Sequence, residues 1–277
     1  MTVEFIDRVG GRNVNLWTYL AYKGIKLSSM DDKERQSKKC ELIENIVDWS
    51  KDSFNQSKIK ILDLLNETKT ALKNIGYEVR DVEVELESKG LFGASSSFGK
   101  LIFEVGLFLD PILNVPCIPS SSLKGAIRVS YYVLSQQKRK YSEKDAEKEC
   151  DRLFGSRSVG EGLVGFTDAY PVQAGRNGYI LYPDVITPHY KDVDTELNVN
   201  PIPISFLTVA PETHFRFFIF WKDLGKRKVD TKDISRKPEP KEESLGLLDL
   251  AVLLALKTGV GAKITLGYST FEVVKYE

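Results

Sequence analysis

The order strand, helix, strand occurs once in each half of this 277-residue chain, and it predicts an α+β fold with a ferredoxin-like, RNA-recognition-type core. Two further observations support that class. Apolar residues alternate with polar ones in several short runs, which is the period of half-buried strands. Between those runs lie segments of helical spacing that stop at glycine. Two βαβ-type halves fused in this way build one sheet, decorated by an N-terminal helical arm and long insertions. The expected division is an N-terminal segment with the arm over residues 1–76 and the ferredoxin-like domain over residues 77–277.

The first thirty residues read as irregular, with Arg8, Arg12, Trp17, Tyr19, Tyr22 and Lys23 mixed among glycines. From Asp31 to about Ile75, Cys40, Ile43, Val47, Ile59, Leu62, Leu65 and Leu72 recur at helical spacing, with a break near Asp52–Gln56. This predicts two helices forming a hairpin or arm. In YEVRDVEVELES, Val82, Val84 and Leu86 alternate with acids, the pattern of a half-exposed strand. A small-residue loop, GLFGASSSFGK, leads to a second strand, LIFEVGLFLD. A helix from Ser122 to about Gln136 follows, and a charged helix from Ser142 to Leu153 ends at Gly155. LVGFTDAYP and YILYPDVITP read as short strands punctuated by proline, and PISFLTVA and HFRFFIFW as two apolar ones. The stretch 222–243 is almost wholly charged or polar and reads as a mobile loop without a core of its own. LGLLDLAVLLALKTG is a strongly apolar helix, and YSTFEVVKY is the last strand.

Lysines and arginines number 39, as do aspartates and glutamates, so the global field gives no sign of nucleic-acid binding and any basic surface must be local. Cys40, Cys117 and Cys150 are odd in number and widely spaced, which fits neither a disulfide framework nor a paired-cysteine metal site. A reducing, cytoplasmic location is expected. With no apolar run near the length of a membrane span and no signal-like N-terminus, neither membrane insertion nor secretion is expected.

Two stretches stand out chemically. PCIPSSSLKGAIRV places three serines, Lys124 and Arg128 at the start of a helix, where unpaired N–H groups and the positive end of the dipole suit a phosphate. Ordinary capping by serine, with two solvated cations, explains the same residues. In GVGAKITLG, Gly259 suffices as a helix cap. A second glycine, Gly261, implies positive φ or close approach by another backbone. Helix, loop, strand is the reverse of the dinucleotide-binding order, so no nucleotide cofactor is expected. His189 and His214 are the only histidines, and structural or hydrogen-bonding roles are expected for both. Asp168 and Asp184 sit at strand ends without paired ligand spacing, so turn and cap roles are expected and no metal.

These motifs, in this order, resemble the RAMP superfamily of CRISPR-associated proteins. The IPSSSLKGAIR unit, LFGSRSVGEGLVGFTDAYP and GVGAKITLG carry the likeness, which spans roughly Glu104 to Phe271. DVITPHY followed by NPIPISFLTV narrows it to the family of the sixth subunit of the type III-B (Cmr) effector complex. One departure is Ser120, where the family usually has a glycine. The resemblance implies an RNA-binding subunit of a ribonucleoprotein for antiviral defence. Its implied partners are the CRISPR guide RNA, the target RNA, the repeated backbone subunit, the small subunit and a neighbouring RAMP head subunit. Carried onto this chain, Ser121, Ser122, Lys124, Arg128 and Arg157 become phosphate contacts. Gly259, Gly261 and Lys263 form the facing wall. The resemblance assigns target cutting to the repeated subunit, so this chain is expected to be non-catalytic and to cap the filament near the guide's 3′ end. The alternative is a RAMP endoribonuclease that processes CRISPR precursor RNA, with His189 or His214 beside a lysine or tyrosine.

Overall fold

The computed structural model describes residues 15–94, 103, 105–187, 203–222 and 246–277. Its first half runs α1 (Leu16–Ser28), α2 (Asp32–Asn74), β1 (Glu78–Leu86), β2 (Leu109–Asp110), β3 (Val115–Pro116), α3 (Ser120–Arg139) and α4 (Glu143–Phe154). The second half runs β4 (Val164–Phe166), β5 (Tyr170–Gln173), β6 (Leu181–Ile186), β7 (Ile204–Val209), β8 (His214–Trp221), α5 (Leu247–Thr258) and β9 (Phe271–Tyr276).

The main sheet is antiparallel with strand order β4-β8-β1-β9, and β5 pairs with β8 beyond β4. The two predicted halves are therefore β1–α3–β4 and β8–α5–β9. Each leaves a strand of the other between its own two, which makes the ferredoxin-like order. The register puts Val82, Val84, Phe215 and Phe217 on one face, all fully buried. Leu123, Ile127 and Tyr131 of α3 and Leu248, Val252 and Ala255 of α5 complete that core. Each of the larger of these side chains (Val, Leu, Ile, Phe) taken from water contributes about 1.5–3 kcal/mol before the entropy of ordering it. Because Leu86 pairs with Phe271, the chain leaves β1 and enters β9 at the same end of the sheet. Topology thus brings the start of α3 and the end of α5 toward that end.

The N-terminal helices differ from the sequence reading. Leu16, Tyr19, Leu20, Gly24 and Leu27 are buried at helical spacing, so half of the supposedly irregular opening is α1. Asp32–Asn74 form one 43-residue helix capped by Asp31 and Ile75, not a hairpin. The polar stretch near Asp52–Gln56 is no break, because it is a docking point. Ser53 and Ser57 donate to the carbonyls of Asn114 and Leu113 at 3.1 and 2.7 Å. Nor does α2 project as an arm. Phe54, Ile61 and Leu65 pack with Phe218 on the sheet face opposite α3 and α5. On that face buried Asp81 accepts from Lys69 at 2.6 Å and from Arg216 at 2.7 and 2.8 Å. Burial opposes its charge, but these cations hold its carboxyl far below the usual range.

Among the described residues of the second expected strand, LIFEVGLFLD, strand pairing is seen at its end, as β2. Phe103, Leu107 and Leu109 are buried, so its alternation records burial, while Phe108 N–H donates to the carbonyl of Phe92 at 2.7 Å. Apart from Lys222, the charged stretch 222–243 lies outside the described residues, as does His189. Among the described residues, no helix is long and apolar enough to cross a membrane.

Candidate nucleic-acid interface

Proline sets the entry to α3. Pro119 occupies the cap position with φ −59° and offers no capping side chain. The hydroxyls of SSS do not fill that role either. Ser120 N–H donates to Asp168 Oδ1 at 2.6 Å, so a carboxylate 48 residues downstream caps the helix. Asp168 is held in place by its neighbours: Thr167 Oγ1 accepts from Phe218 N–H at 2.9 Å, and Ala169 and Ile118 exchange backbone bonds. A negative group at this helix end is the electrostatically favoured one. The chain supplies it internally, and the expected cap role of Asp168 is its observed one. The amides of Ser122 and Leu123 donate to Pro119 carbonyl at 2.9 and 3.2 Å, whereas Ser121 is exposed.

Lys124 and Arg128 follow one turn apart with different surroundings. Lys124 has no hydrogen bond or ion pair among the described residues. Arg128 reaches α4, pairing with Glu147 at 2.5 Å and Asp151 at 2.9 Å and donating to Gly155 carbonyl at 3.4 Å. It thereby fastens the root of the 155–160 loop, on which Arg157 is exposed beside the Ser156–Gly160 bridge.

The glycines past α5 are explained by the protein itself. Gly259 has φ +119° and Gly261 φ +138°, both regions that disfavour other residues. A Cβ on Gly261 would lie 2.6 Å from Leu91 carbonyl oxygen. Ala262 N–H donates to that same carbonyl at 2.8 Å, and Ser269 Oγ accepts from Leu91 N–H at 3.0 Å. Both alternatives that the spacing implied, positive φ and close backbone approach, are met locally. Lys263 has φ +57°, and its ammonium lies 5.9 Å from the Phe206 ring centroid on β7.

A cluster that sequence reasoning missed ties this loop to β6. Asp184 accepts from Lys89 Nζ at 2.8 Å, from Val185 N–H at 2.9 Å and from the Tyr268 hydroxyl. Burial works against its charge, yet these donors hold its carboxyl below the ordinary range. Burial and that carboxylate push the Tyr268 hydroxyl up to about 12. Lys89 and Asp184 are 95 positions apart, so no local pattern announces them. His214 sits between Glu83 at 3.0 Å and Glu85 at 3.3 Å, a carboxylate setting on the α2 side of the sheet.

The RAMP superfamily model matches residues 102–272. A curated relative described as CRISPR system CMR subunit Cmr6, from Saccharolobus solfataricus, is 34% identical over 247 residues, covering 88% of this chain and 75% of its own length. A chain from the cryo-EM structure of the type III-B Cmr-beta bound to cognate target RNA superposes with a TM-score of 0.75 at 28% identity, over 99% of this chain and 95% of that one. By sequence, by fold order and by these matches, the chain belongs to the RAMP superfamily and, within it, to the Cmr6 family.

Proposed function

We propose that this chain is a structural, RNA-binding subunit of a type III-B Cmr ribonucleoprotein. It holds the guide RNA's backbone near the 3′ end and caps the filament beside the repeated backbone subunit, the small subunit and a neighbouring RAMP head subunit. It cuts no RNA itself. The observation that carries the reading is the whole-length similarity to a chain of Cmr-beta bound to target RNA. The geometry adds a physical route. Ser121 is exposed, Lys124 has no partner among the described residues, Arg157 is exposed, and Lys263 lies on a loop at the same end of the sheet. Contacts of this kind grip phosphates and are indifferent to base sequence, as a carrier of variable guides requires. Ser122, Gly259 and Gly261 shape the two walls, and Arg128 serves RNA indirectly by fixing the loop of Arg157.

Reconstitution with guide RNA and the other Cmr subunits tests the reading. The expected result is incorporation of the chain and protection of the guide's 3′ portion from nuclease. Specific cutting of CRISPR repeat RNA by the purified chain, abolished by His214→Ala or His189→Ala, would replace it with the endoribonuclease reading.

A further inference from the structure

β9 ends one side of the main sheet, and among the described residues no strand pairs with its outer edge. The ladder to β1 fixes which way its backbone groups point. Leu86, opposite Phe271, donates to Thr213 carbonyl at 3.0 Å and accepts from Glu212 N–H at 2.7 Å, both away from β9. Glu87 N–H instead donates to Thr270 carbonyl at 3.0 Å. At the far end Asp81 and Glu277 exchange bonds at 2.8 and 3.1 Å. Bonded and non-bonded positions alternate in an antiparallel pair. The N–H and carbonyl groups of Phe271, Val273 and Tyr276 therefore face the open edge. None of them has a partner among the described residues.

β6 shows how this chain closes an edge. Leu181 N–H, on the side away from β7, donates to Ser50 Oγ at 3.2 Å. Two residues on, Pro183 has no N–H to offer, and Val185 N–H donates to Asp184 Oδ1 at 2.9 Å. Unpaired edges invite another strand, and proteins block those that must stay single. β9 has no proline. Its extra residue, half-exposed Val274, comes after Val273 and leaves Phe271 and Val273 on a regular stretch.

Charge names the class of partner. Glu272 is exposed, lies directly opposite Glu85 of β1 and has no ion pair among the described residues. His214 meets Glu85 at 3.3 Å, and Lys275 is engaged by Asp81 and Glu277 at 3.4 and 3.1 Å. Like charges facing across a ladder destabilise it. A phosphate backbone would add to that repulsion, whereas a cation on an incoming strand would relieve it.

We infer that the open edge of β9 takes an extended segment of a neighbouring protein subunit, paired through Phe271 and Val273 with a lysine or arginine opposite Glu272. Main-chain bonds supply the contact, and the flanking side chains select the partner. The inference rests on the proposed place in a Cmr assembly, and it adds a protein-facing edge to the RNA-facing loops.

The test reads hydrogen exchange at single amides of the full chain, alone and reconstituted with guide RNA and the other Cmr subunits. In the free chain Phe271 and Val273 should exchange fast, and Glu272, bonded to β1, slowly. In the assembly the two outward amides should slow at least about tenfold. Glu272→Lys should melt no lower than the parent and join the assembly about tenfold more weakly. Val273→Pro removes only an outward donor and should weaken assembly likewise. Should that proline disturb the free strand, Glu272→Lys decides alone. Incorporation with both amides still fast, or parent-like assembly of Glu272→Lys, would overturn the edge contact and leave the proposed function standing. Failure of the parent to enter the assembly would overturn both. Slow exchange already in the dilute free chain would show an edge closed from within and overturn the inference. Protection by guide RNA alone, or by concentrating the free chain, would overturn it in favour of RNA or a second copy.

Discussion

The start of α3 and the loop after α5 are both built from residue types that suit a phosphate, yet the protein uses them differently. At α3 the first amide is already occupied by Asp168, and Arg128 by Glu147 and Asp151. Beside them Ser121 and Arg157 are exposed, and these with Lys124 are the residues proposed to meet RNA. In the loop, the glycines are fixed by φ values of +119° and +138° and by the carbonyl of Leu91, while Lys263 is the residue with charge to offer. Residue type reveals where an anion is welcome. It does not reveal whether the chain has already supplied one.

The sharpest way to break this contrast is Gly261→Val. A β-branched residue at φ +138°, with its Cβ 2.6 Å from Leu91 carbonyl oxygen, should destabilise the free protein by about 3 kcal/mol, measured by urea unfolding. Unfolding at the parent's midpoint would show that neither the φ nor the Leu91 carbonyl demands a glycine at 261. Arg128→Ala strands Asp151 and Glu147 and frees Gly155. Given its partial exposure it should cost about 1 kcal/mol of stability and loosen residues 155–160 to hydrogen exchange. Asp168→Ala removes the cap of α3, with an expected loss of about 1 kcal/mol and no loss of RNA affinity, since a negative group is withdrawn from the surface. A fall in affinity would mean that Asp168 shapes the RNA site itself.

The smallest expected effect is one of pH. The folded-state pKa of Asp184 is depressed, so its contribution is complete above the ordinary carboxylate value of about 4 and is lost as pH falls through the lower folded value. Asp184→Asn should therefore flatten the acid limb of the stability curve below about pH 4 and leave it unchanged in shape near neutrality. Equal acid sensitivity in both proteins would remove Asp184 from the contacts that pin the loop.

Much of the architecture was legible because burial leaves a period. Val82, Val84 and Leu86 announced β1, and the strand–helix–strand order announced the sheet. The single helix α2 was not legible, because the serines that resembled a break are hydrogen-bonding to a turn some 60 residues away. The same limit applies at the site. SSSLKGAIR and GVGAKITLG single out the two loops by residue type, but the partners that decide their chemistry, Asp168 for Ser120 and Asp184 for Lys89 and Tyr268, come from distant sequence. A chain shows its donors locally and meets its acceptors only on folding.

The most direct test of the central claim is single-stranded RNA binding by the full chain across a salt series, comparing the parent with Lys124→Ala/Lys263→Asn. Asparagine tolerates the left-handed backbone at 263, so the variant removes charge without adding strain. Expected are parent-like melting, about tenfold weaker binding and a salt slope lower by about 1.4. Identical affinity and slope in a variant that melts like the parent would contradict the claim.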